Sequence, residues 1–501
     1  MSSRFSLKTM KAVVRVAAVV PAAILLASCS SASTPDTEWS TSADELIARA
    51  HGARRLVTFQ LTDYPRQMQF LQSRGLDIAG VDLPASQADV ILTDYEVEEL
   101  TQQGMSVVRH KLAAEEELAP DAAYKTPAEI DTLIHQFASA HPAIASVKSI
   151  GKSREGRDIW AIKITKDVAQ HSPNKPVILF NGMHHAREVM SPEVALDTIE
   201  QLLNKYGTDA NITHWVDANE IWVVPMLNVD GNNKVWNTDN YWRKNTRGCP
   251  SSGSCPSGTG VDINRNYPYA WGSCNGSSGS ASSETYRGPS AGSEPETNVL
   301  MNHVAATRPV IDISYHSYSE LIIYPYGCDG VQSPTRDILR GLAQSMAAKL
   351  PSDSGSGNYR YGTSWETLYA VDGGDIDWMH NKYSVAAYVI EVNRSAQGFQ
   401  PSYATWRDRT VTKLRGAWQV ALARLDGSGL RGVVPAGVSG ATVTVTRSGT
   451  ATQSRPVNPD GSFHVLVLPG TYHVSVAAPG KTTWEKDVTV ADTRVNLSVQ
   501  F

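Results

Sequence analysis

Cysteine and charge are both scarce in this chain: 501 residues hold five cysteines, and only 19% of residues are charged. There is no basic excess either, because 45 Lys and Arg face 50 Asp and Glu, for a net charge of −5. A nucleic-acid binder would carry a basic face or tail, so nucleic acid is not an expected partner. No apolar run approaches the roughly 20 residues that a transmembrane helix requires, which excludes a polytopic membrane protein. No C-x-x-C pair occurs, which argues against a four-cysteine zinc site. Solenoid or propeller repeats are also missing. What remains is a soluble chain long enough for about two to four domains.

The first residues are basic and then apolar: Arg4, Lys8, Lys11 and Arg15 precede Val16 to Ala27, which Pro21 interrupts. This is the layout of a signal peptide, predicted over residues 1–28. Its end, Leu26-Ala27-Ser28-Cys29, resembles the bacterial lipobox, in which the cysteine is lipidated and becomes the new N-terminus. The alternative is ordinary secretion with cleavage between Ser28 and Ser33. Ser, Thr and Pro then dominate a flexible tether over 29–42. Loss of 1–28 removes four basic groups and no acidic ones, leaving 41 against 50 and a net charge of −9. The expected protein is therefore exported and acidic, extracellular or at the cell surface, and touches a membrane only through lipid on Cys29. An oxidising compartment favours disulfides among Cys249, Cys255, Cys274 and Cys328. Proximity along the chain favours Cys249–Cys255 with Cys274–Cys328.

Three folded units are predicted. Residues 43–112 alternate strand and helix signals, with strands at Leu56 to Leu61, Ala88 to Leu92 and Val107-Val108, and a helix from Asp94 to Gln103 ending at Gly104. An acidic linker, 113–123, follows. Residues 124–426 carry short continuous apolar runs at Val177 to Phe180, Ile221 to Val224 and Ala386 to Ile390, the mark of strands buried on both faces, and Val310 to Ile313 resembles them apart from Asp312. Helices lie between them: Leu196, Ile199 and Leu203 share one face, and Trp406 to Leu425 forms a long terminal helix. The predicted fold class is α/β, a mixed, mostly parallel sheet covered by helices on both faces. A small α+β unit precedes it and a small all-β sandwich follows over 430–501. In that sandwich Thr442 to Thr446, Phe463 to Val467, Tyr472 to Val476 and Val488 to Val490 alternate with period two.

Reactive side chains gather where the apolar strands of the central unit end, the place where open α/β sheets bind their ligands. Val177 to Phe180 leads into Asn181-Gly182-Met183-His184-His185-Ala186-Arg187-Glu188, and the run from Val310 leads into Ser314-Tyr315-His316-Ser317-Tyr318. His185 and Glu188 at i and i+3, with His316, form a two-His, one-carboxylate set that leaves one tetrahedral position of zinc open for water. His184 could replace His185. Gly288-Pro289-Ser290-Ala291-Gly292 fits the G-x-S-x-G pattern of serine hydrolases. No apolar strand leads into it, and Pro289 stiffens it, so it is read as a decoy.

Further motifs follow in order: Tyr241-Trp242-Arg243-Lys244, Gly260-Val261-Asp262-Ile263-Asn264-Arg265-Asn266-Tyr267, Tyr286-Arg287-Gly288-Pro289 and Ser293-Glu294-Pro295-Glu296-Thr297. After His316 come Tyr369, Gly373-Gly374-Asp375-Ile376-Asp377-Trp378 and Tyr388-Val389-Ile390-Glu391. Over 124–426 the chain thereby resembles the zinc metallocarboxypeptidases of the pancreatic carboxypeptidase A/B and bacterial carboxypeptidase T type. The resemblance implies one zinc ion held by His185, Glu188 and His316, with Asp262 orienting the first histidine. It implies that Arg243 polarises the scissile carbonyl and that Glu391 is the general base. Asn264 and Arg265 would clamp the substrate's C-terminal carboxylate, Tyr369 would close over it, and Arg187 and Tyr318 would line more distant subsites.

The substrate implied is a peptide or protein with a free C-terminal carboxylate, and the enzyme a monomer. Ile376 falls at the position that selects the C-terminal side chain, so hydrophobic residues are expected to be preferred. Asp375 beside it leaves room for activity on basic ones. Residues 43–112 resemble the propeptide of related zymogens, which implies an activating protease acting in the acidic linker. The C-terminal unit resembles transthyretin-like or carboxypeptidase-regulatory modules. The alternatives are a cell-wall peptidase or amidase acting on peptidoglycan stem peptides with the same zinc scaffold, and a non-catalytic binding module. Intact ligands and Glu391 argue against the second.

Overall fold

The computed structural model describes residues 52, 54–110, 119–447 and 452–501. The expected signal peptide, Cys29, the tether and most of the acidic linker lie outside the described residues.

Three layers of sequence texture become three packed units. In the first, β1 (Arg54–Gln60), β2 (Asp77–Asp82), β3 (Gln87–Thr93) and β4 (Ser106–His110) form an antiparallel sheet in the order β2-β3-β1-β4. Two helices cross between strands. Tyr64–Ser73 starts at an Asp63 cap with a proline in its first turn, and Asp94–Gln102 starts at a Thr93–Glu96 capping box. The first helix and β2 carry no clean periodicity and were not expected.

The central sheet has eight strands. They are β5 (Ala145–Lys152), β6 (Asp158–Ile164), β7 (Val177–Gly182), β8 (Glu220–Val224), β9 (Ile311–Ser317), β10 (Leu321–Ile323), β11 (Arg360–Gly362) and β12 (Ala386–Val392). Their order is β11-β10-β12-β9-β7-β8-β6-β5. Four adjacent pairs are parallel, β7–β8, β7–β9, β9–β12 and β10–β11, and three are antiparallel. The strands with continuous apolar runs are the middle ones, buried throughout because helices cover both faces. Helices Pro127–Ala140, Met190–Asn204, Arg336–Ala347 and Tyr403–Arg424 pack together on one side. Pro295–Thr307 and Asp375–Tyr383 pack at the other. Both expected disulfides, Cys249–Cys255 and Cys274–Cys328, are formed.

The last unit is a sandwich of two sheets, β16-β13-β19 and β15-β14-β17-β18. Its strands are β13 (Gly429–Val433), β14 (Thr442–Arg447), β15 (Thr452–Pro456), β16 (Ser462–Leu466), β17 (Gly470–Ala477), β18 (Trp484–Val490) and β19 (Arg494–Ser498). The four predicted strands are present. The other three carry glycine, charge and proline, which masks alternation. The sandwich docks on the central unit through buried Arg455, which donates to His464 O at 2.7 Å and to Arg308 O at 2.9 Å.

The first unit lies over the C-terminal edges of the central strands. Tyr64 Oη donates to Leu368 O at 2.6 Å, Tyr318 Oη to Asp89 at 2.9 Å, and Arg187 donates two hydrogen bonds to the Asp77 carboxylate. The last residues of the expected linker are docked rather than free. Pro120 is buried, and Asp121 accepts the Tyr403 N–H at 3.1 Å.

Candidate metal centre and cleft

Three neighbouring parallel strands deliver the centre. In the register of β7 and β9, Gly182 pairs with Tyr315, so the loop after β7 emerges beside His316. In the register of β9 and β12, His316 pairs with Glu391. The loop itself is pinned. Asn228 Nδ2 donates to His184 O at 3.0 Å, Asn232 Nδ2 to Ala186 O at 2.9 Å, and Ala186 N to Arg243 O at 2.9 Å. Gly182 permits this close approach, because a Cβ there would lie 3.1 Å from Pro225 O.

His185, Glu188 and His316 are all buried, with their ligand atoms within 4.8 Å of one another. His185 Nδ1 is 2.7 Å from Glu188 Oε1, His316 Nδ1 is 3.1 Å from Glu188 Oε2, and the two Nδ1 atoms are 3.2 Å apart. Two imidazole nitrogens converging on one carboxylate, away from water, are a donor set for a divalent cation, and the ligand types suit zinc. Burial opposes ionisation of Glu188, but the two imidazoles override it and hold its pKa far below the ordinary range. His184 is not part of the group. Its Nε2 meets Tyr267 Oη at 3.0 Å and its Nδ1 faces Ser314 Oγ at 3.4 Å.

Asp262 is wholly buried and serves three partners. Its Oδ1 lies 3.3 Å from His185 Nε2 and accepts Asn264 N–H, while its Oδ2 accepts Arg243 Nη2 at 2.9 Å. Burial would raise its pKa; Arg243, His185 and Arg265 instead push it well below the usual value. Glu391 lines the same cleft, and burial, with the charge of Glu188 nearby, lifts its pKa to about 8.

The cleft is lined by His185, Glu188, Arg243, His316 and Glu391 together with Asn264, Arg265, Tyr369, Asp375 and Ile376. Arg265 Nε donates to Gly276 O at 2.9 Å, and Asn264 Oδ1 accepts Asp375 N–H at 2.9 Å. Asp375 is fully buried, and neither carboxylate oxygen has a hydrogen-bond partner; His184 Nε2 is 3.6 Å away. Every sequence-predicted residue of the central unit therefore stands in or beside one cavity. Arg187 and Tyr318 are covered, since Asp77 and Asp89 of the first unit occupy them. Ser290 of the G-x-S-x-G stretch is exposed on a turn, far from strand-to-helix geometry.

Sequence reasoning missed two contributions. Ile78 and Ala79 of β2 line the cleft mouth, and nothing in their local sequence marks them. Asp372 carries the loop beneath Arg265, accepting the N–H groups of Cys274 and Gly276 at 3.0 Å each. An acid just before a glycine pair was its only signal.

Comparison with known proteins agrees with the geometry. The sequence profile described as zinc carboxypeptidase matches residues 130–410. Carboxypeptidase B of Bos taurus is 32% identical over 275 residues, covering 54% of this chain and 63% of that protein. Carboxypeptidase A1 of Bos taurus is 34% identical over 272 residues, covering 54% and 62%. Each alignment thus spans less than two-thirds of the relative. The crystal structure of the carboxypeptidase A from Helicoverpa armigera superposes with a TM-score of 0.63 at 24% identity, over 75% of this chain and 98% of that one. That likeness is one of fold.

Proposed function

The chain belongs to the zinc carboxypeptidase family, and from that premise we propose that it hydrolyses the C-terminal peptide bond of peptides and proteins. The observation that carries the reading is the convergence of His185, Glu188 and His316 beside Glu391, in a cleft whose inner wall holds Asn264 and Arg265. The family uses one zinc ion, which when bound polarises a carbonyl and acidifies water. The protein's own residues do the rest.

Arg265 and Asn264 receive the terminal carboxylate, for which a guanidinium offers a planar pair of donors. Tyr369, at the rim of the cleft, closes over it. Arg243 meets the carbonyl oxygen as negative charge develops there, and Asp262 holds that guanidinium in place. Glu391 takes a proton from the attacking water and returns it to the leaving nitrogen. Asp262 also steadies His185 through its second ring nitrogen.

Ile376 in the cleft wall supports a preference for hydrophobic C-terminal residues, and Asp375 supports additional activity on basic ones. Rates on peptides ending in Phe, Leu, Lys and Arg test this, and a clear lead for Lys or Arg overturns it. The first unit, which fills the cleft mouth with Ile78 and Ala79, acts as an inhibitory propeptide removed by cleavage in the acidic linker. Two disulfides and the N-terminal pattern support export. Among the described residues no helix is long and apolar enough to cross a membrane. The aligned relatives bear carboxypeptidase names, which disfavours the cell-wall amidase reading.

The test is digestion of peptides by the zinc-loaded protein after limited proteolysis in the acidic linker, with and without a chelator, read by mass spectrometry. Stepwise loss from the C-terminus that the chelator stops is expected. Internal cuts, or activity indifferent to the chelator, would overturn the reading.

A further inference from the structure

We propose that the C-terminal sandwich helps to determine specificity: through Arg455 and Arg308 it fixes one end of the helix Asp375–Tyr383, and the other end of that helix is the wall against which the substrate's C-terminal side chain packs. The inference rests on the carboxypeptidase reading above and gives the third unit a role in it. The helix has nine residues, about 12 Å of rise. Asp375, Ile376 and Asp377 at its start line the cleft. The helix packs on β15, and the Ser384 hydroxyl that follows its last turn donates to Ser454 O at 2.7 Å.

Two arginines make the seam. Arg455 of β15 is 2% exposed and forms no ion pair with a carboxylate among the described residues. Its two Nη atoms end on backbone carbonyls, His464 O at 2.7 Å within the sandwich and Arg308 O at 2.9 Å across the seam. Arg308 answers in the opposite direction, with Nη1 at 3.3 Å from Pro456 O and 3.4 Å from Val457 O. Its guanidinium also lies 4.6 Å from the centre of the Tyr383 ring. Tyr383 in turn meets Trp378 edge-on at 5.6 Å, beside the residues of the wall. Burial and the charge of Arg308 both oppose ionisation of Arg455. A cation so placed is a poor adhesive, since an apolar side chain could join the two units at less cost. What Arg455 supplies is direction: donors at fixed angles set where β15 stands relative to residue 308 and, through Arg308, to Tyr383.

The start of the helix is held separately. Asp375 N–H donates to Asn264 Oδ1 at 2.9 Å, and Gly327 N–H donates to Asp377 Oδ2 at 2.8 Å. Gly373 admits no side chain, because a Cβ there would lie 2.3 Å from Arg265 O. The start is thus tied to the proposed clamp, Asn264 and Arg265, and acts as a pivot, while the sandwich fixes the far end of the lever. Displacement at the seam then tilts the wall at Ile376 and leaves Asn264 and Arg265 in place. Selectivity among C-terminal side chains therefore depends on the seam, and the hold on the carboxylate does not. The sandwich has a second seat on another loop, where His171 Nε2 meets Asp460 at 2.7 Å and His464 Nε2 lies 3.1 Å from Pro173 O. Loosening at Arg455 leaves that seat intact.

The test uses the zinc-loaded chain after limited proteolysis in the acidic linker, with two free-acid peptides that differ only in a C-terminal Phe or Ala. R455M keeps the bulk of the side chain but donates nothing. It should lower the Phe/Ala ratio of kcat/KM about fivefold, mainly through KM for the Phe peptide, with the Ala peptide changed by less than about twofold. R455K, one ammonium for two carbonyls, should restore part of the ratio. H171A opens the second seat and leaves Arg455 in place, so it controls for mere loosening of the sandwich and should keep the wild-type ratio. An unchanged ratio in R455M, or an equal fall in H171A, overturns the inference and leaves the carboxypeptidase reading intact. Should R455M not fold, S384G carries the same comparison with an expected fall of about twofold, as for one lost hydrogen bond, and an unchanged ratio again overturns it. If the wild type cuts neither peptide, that reading fails instead. Hydrogen–deuterium exchange of amides 375–384 then decides whether the sandwich fixes the helix: faster exchange in R455M than in the wild type and H171A supports the seam, and equal exchange overturns it.

Discussion

Replacing Asp372 by alanine tests how the proposed clamp on the terminal carboxylate is held in position. Asp372 is wholly buried; its Oδ2 accepts the N–H groups of Cys274 and Gly276 at 3.0 Å each, and its Oδ1 accepts the Ser277 hydroxyl. Gly276 in turn offers its carbonyl to Arg265 Nε at 2.9 Å. No side chain fits at Gly276, because a Cβ would lie 2.4 Å from Asp372 N. The carboxylate, the loop and the guanidinium therefore form one rigid path, and Asp372 is a positioning residue. Three hydrogen bonds to a buried charge disappear in D372A, and three donors lose their partner. Relief of the carboxylate's own desolvation offsets part of this, so a net loss of about 3–5 kcal/mol is expected. The Cys274–Cys328 bond keeps the loop attached, which favours a folded variant. With Arg265 no longer anchored at Nε, KM should rise about tenfold, or about 1.4 kcal/mol of binding. Arg243 and Glu391 have no bond to this loop, so kcat should change little. D372N keeps the shape and should fall between. Urea unfolding and steady-state kinetics on one free-acid peptide read both quantities. An unchanged KM, or a fall in kcat alone, refutes the reasoning.

Asp77→Asn should leave Arg187 buried beside an uncharged partner, loosening the first unit by about 3–5 kcal/mol and raising peptidase activity of the uncut chain; unchanged basal activity counts against the inhibitory role. Burial lowers the pKa of His303 to about 3 from the usual 6.5. The unfolded chain then binds this proton below about pH 6.5 while the native one does not, so its contribution is full above that value. It is lost as pH falls toward 3, at up to about 1.4 kcal/mol per pH unit. H303L should thus lose less stability than the wild type between pH 6.5 and 4 in thermal melts, and parallel curves would contradict this. Cys274–Cys328 closes a separation of 54 residues and Cys249–Cys255 one of 6. Loop-closure entropy assigns them about 4 and about 2 kcal/mol, so C328S should cost about twice what C249S does in denaturant midpoint-derived stability.

The middle of the sheet was legible because β7, β8 and β12 are covered on both faces and carry apolar runs, a pattern that β9 follows at its start apart from Asp312. The edges were not. β5 buries only Ala145 and is largely exposed, β6 mixes buried and half-buried positions, and β10 and β11 have three residues each, too few to show a period. The same contrast holds in the sandwich, where β14 buries Val443 and Val445 in strict alternation while β15 buries only Arg455. Periodicity reports burial, so it is faint wherever a strand is short, largely exposed or held by polar contacts.

The site divides along a similar line. Residues whose proposed role lies in their own functional group, such as His185, Glu188, His316, Arg243 and Glu391, could be picked out from type and order along the chain, and the structure places them in one cleft. Residues whose role depends on a distant partner could not. Asp77 looks like any strand-end acid until it is seen on Arg187, 110 positions away. Asp372 resembles a turn residue until Gly276 and Arg265 are seen to rest on it. Arg187 itself lay between these cases. Its place between His185 and Glu188 marked it as near the metal-binding group, but only the structure shows its seat against Tyr241 and Phe399, facing Asp77.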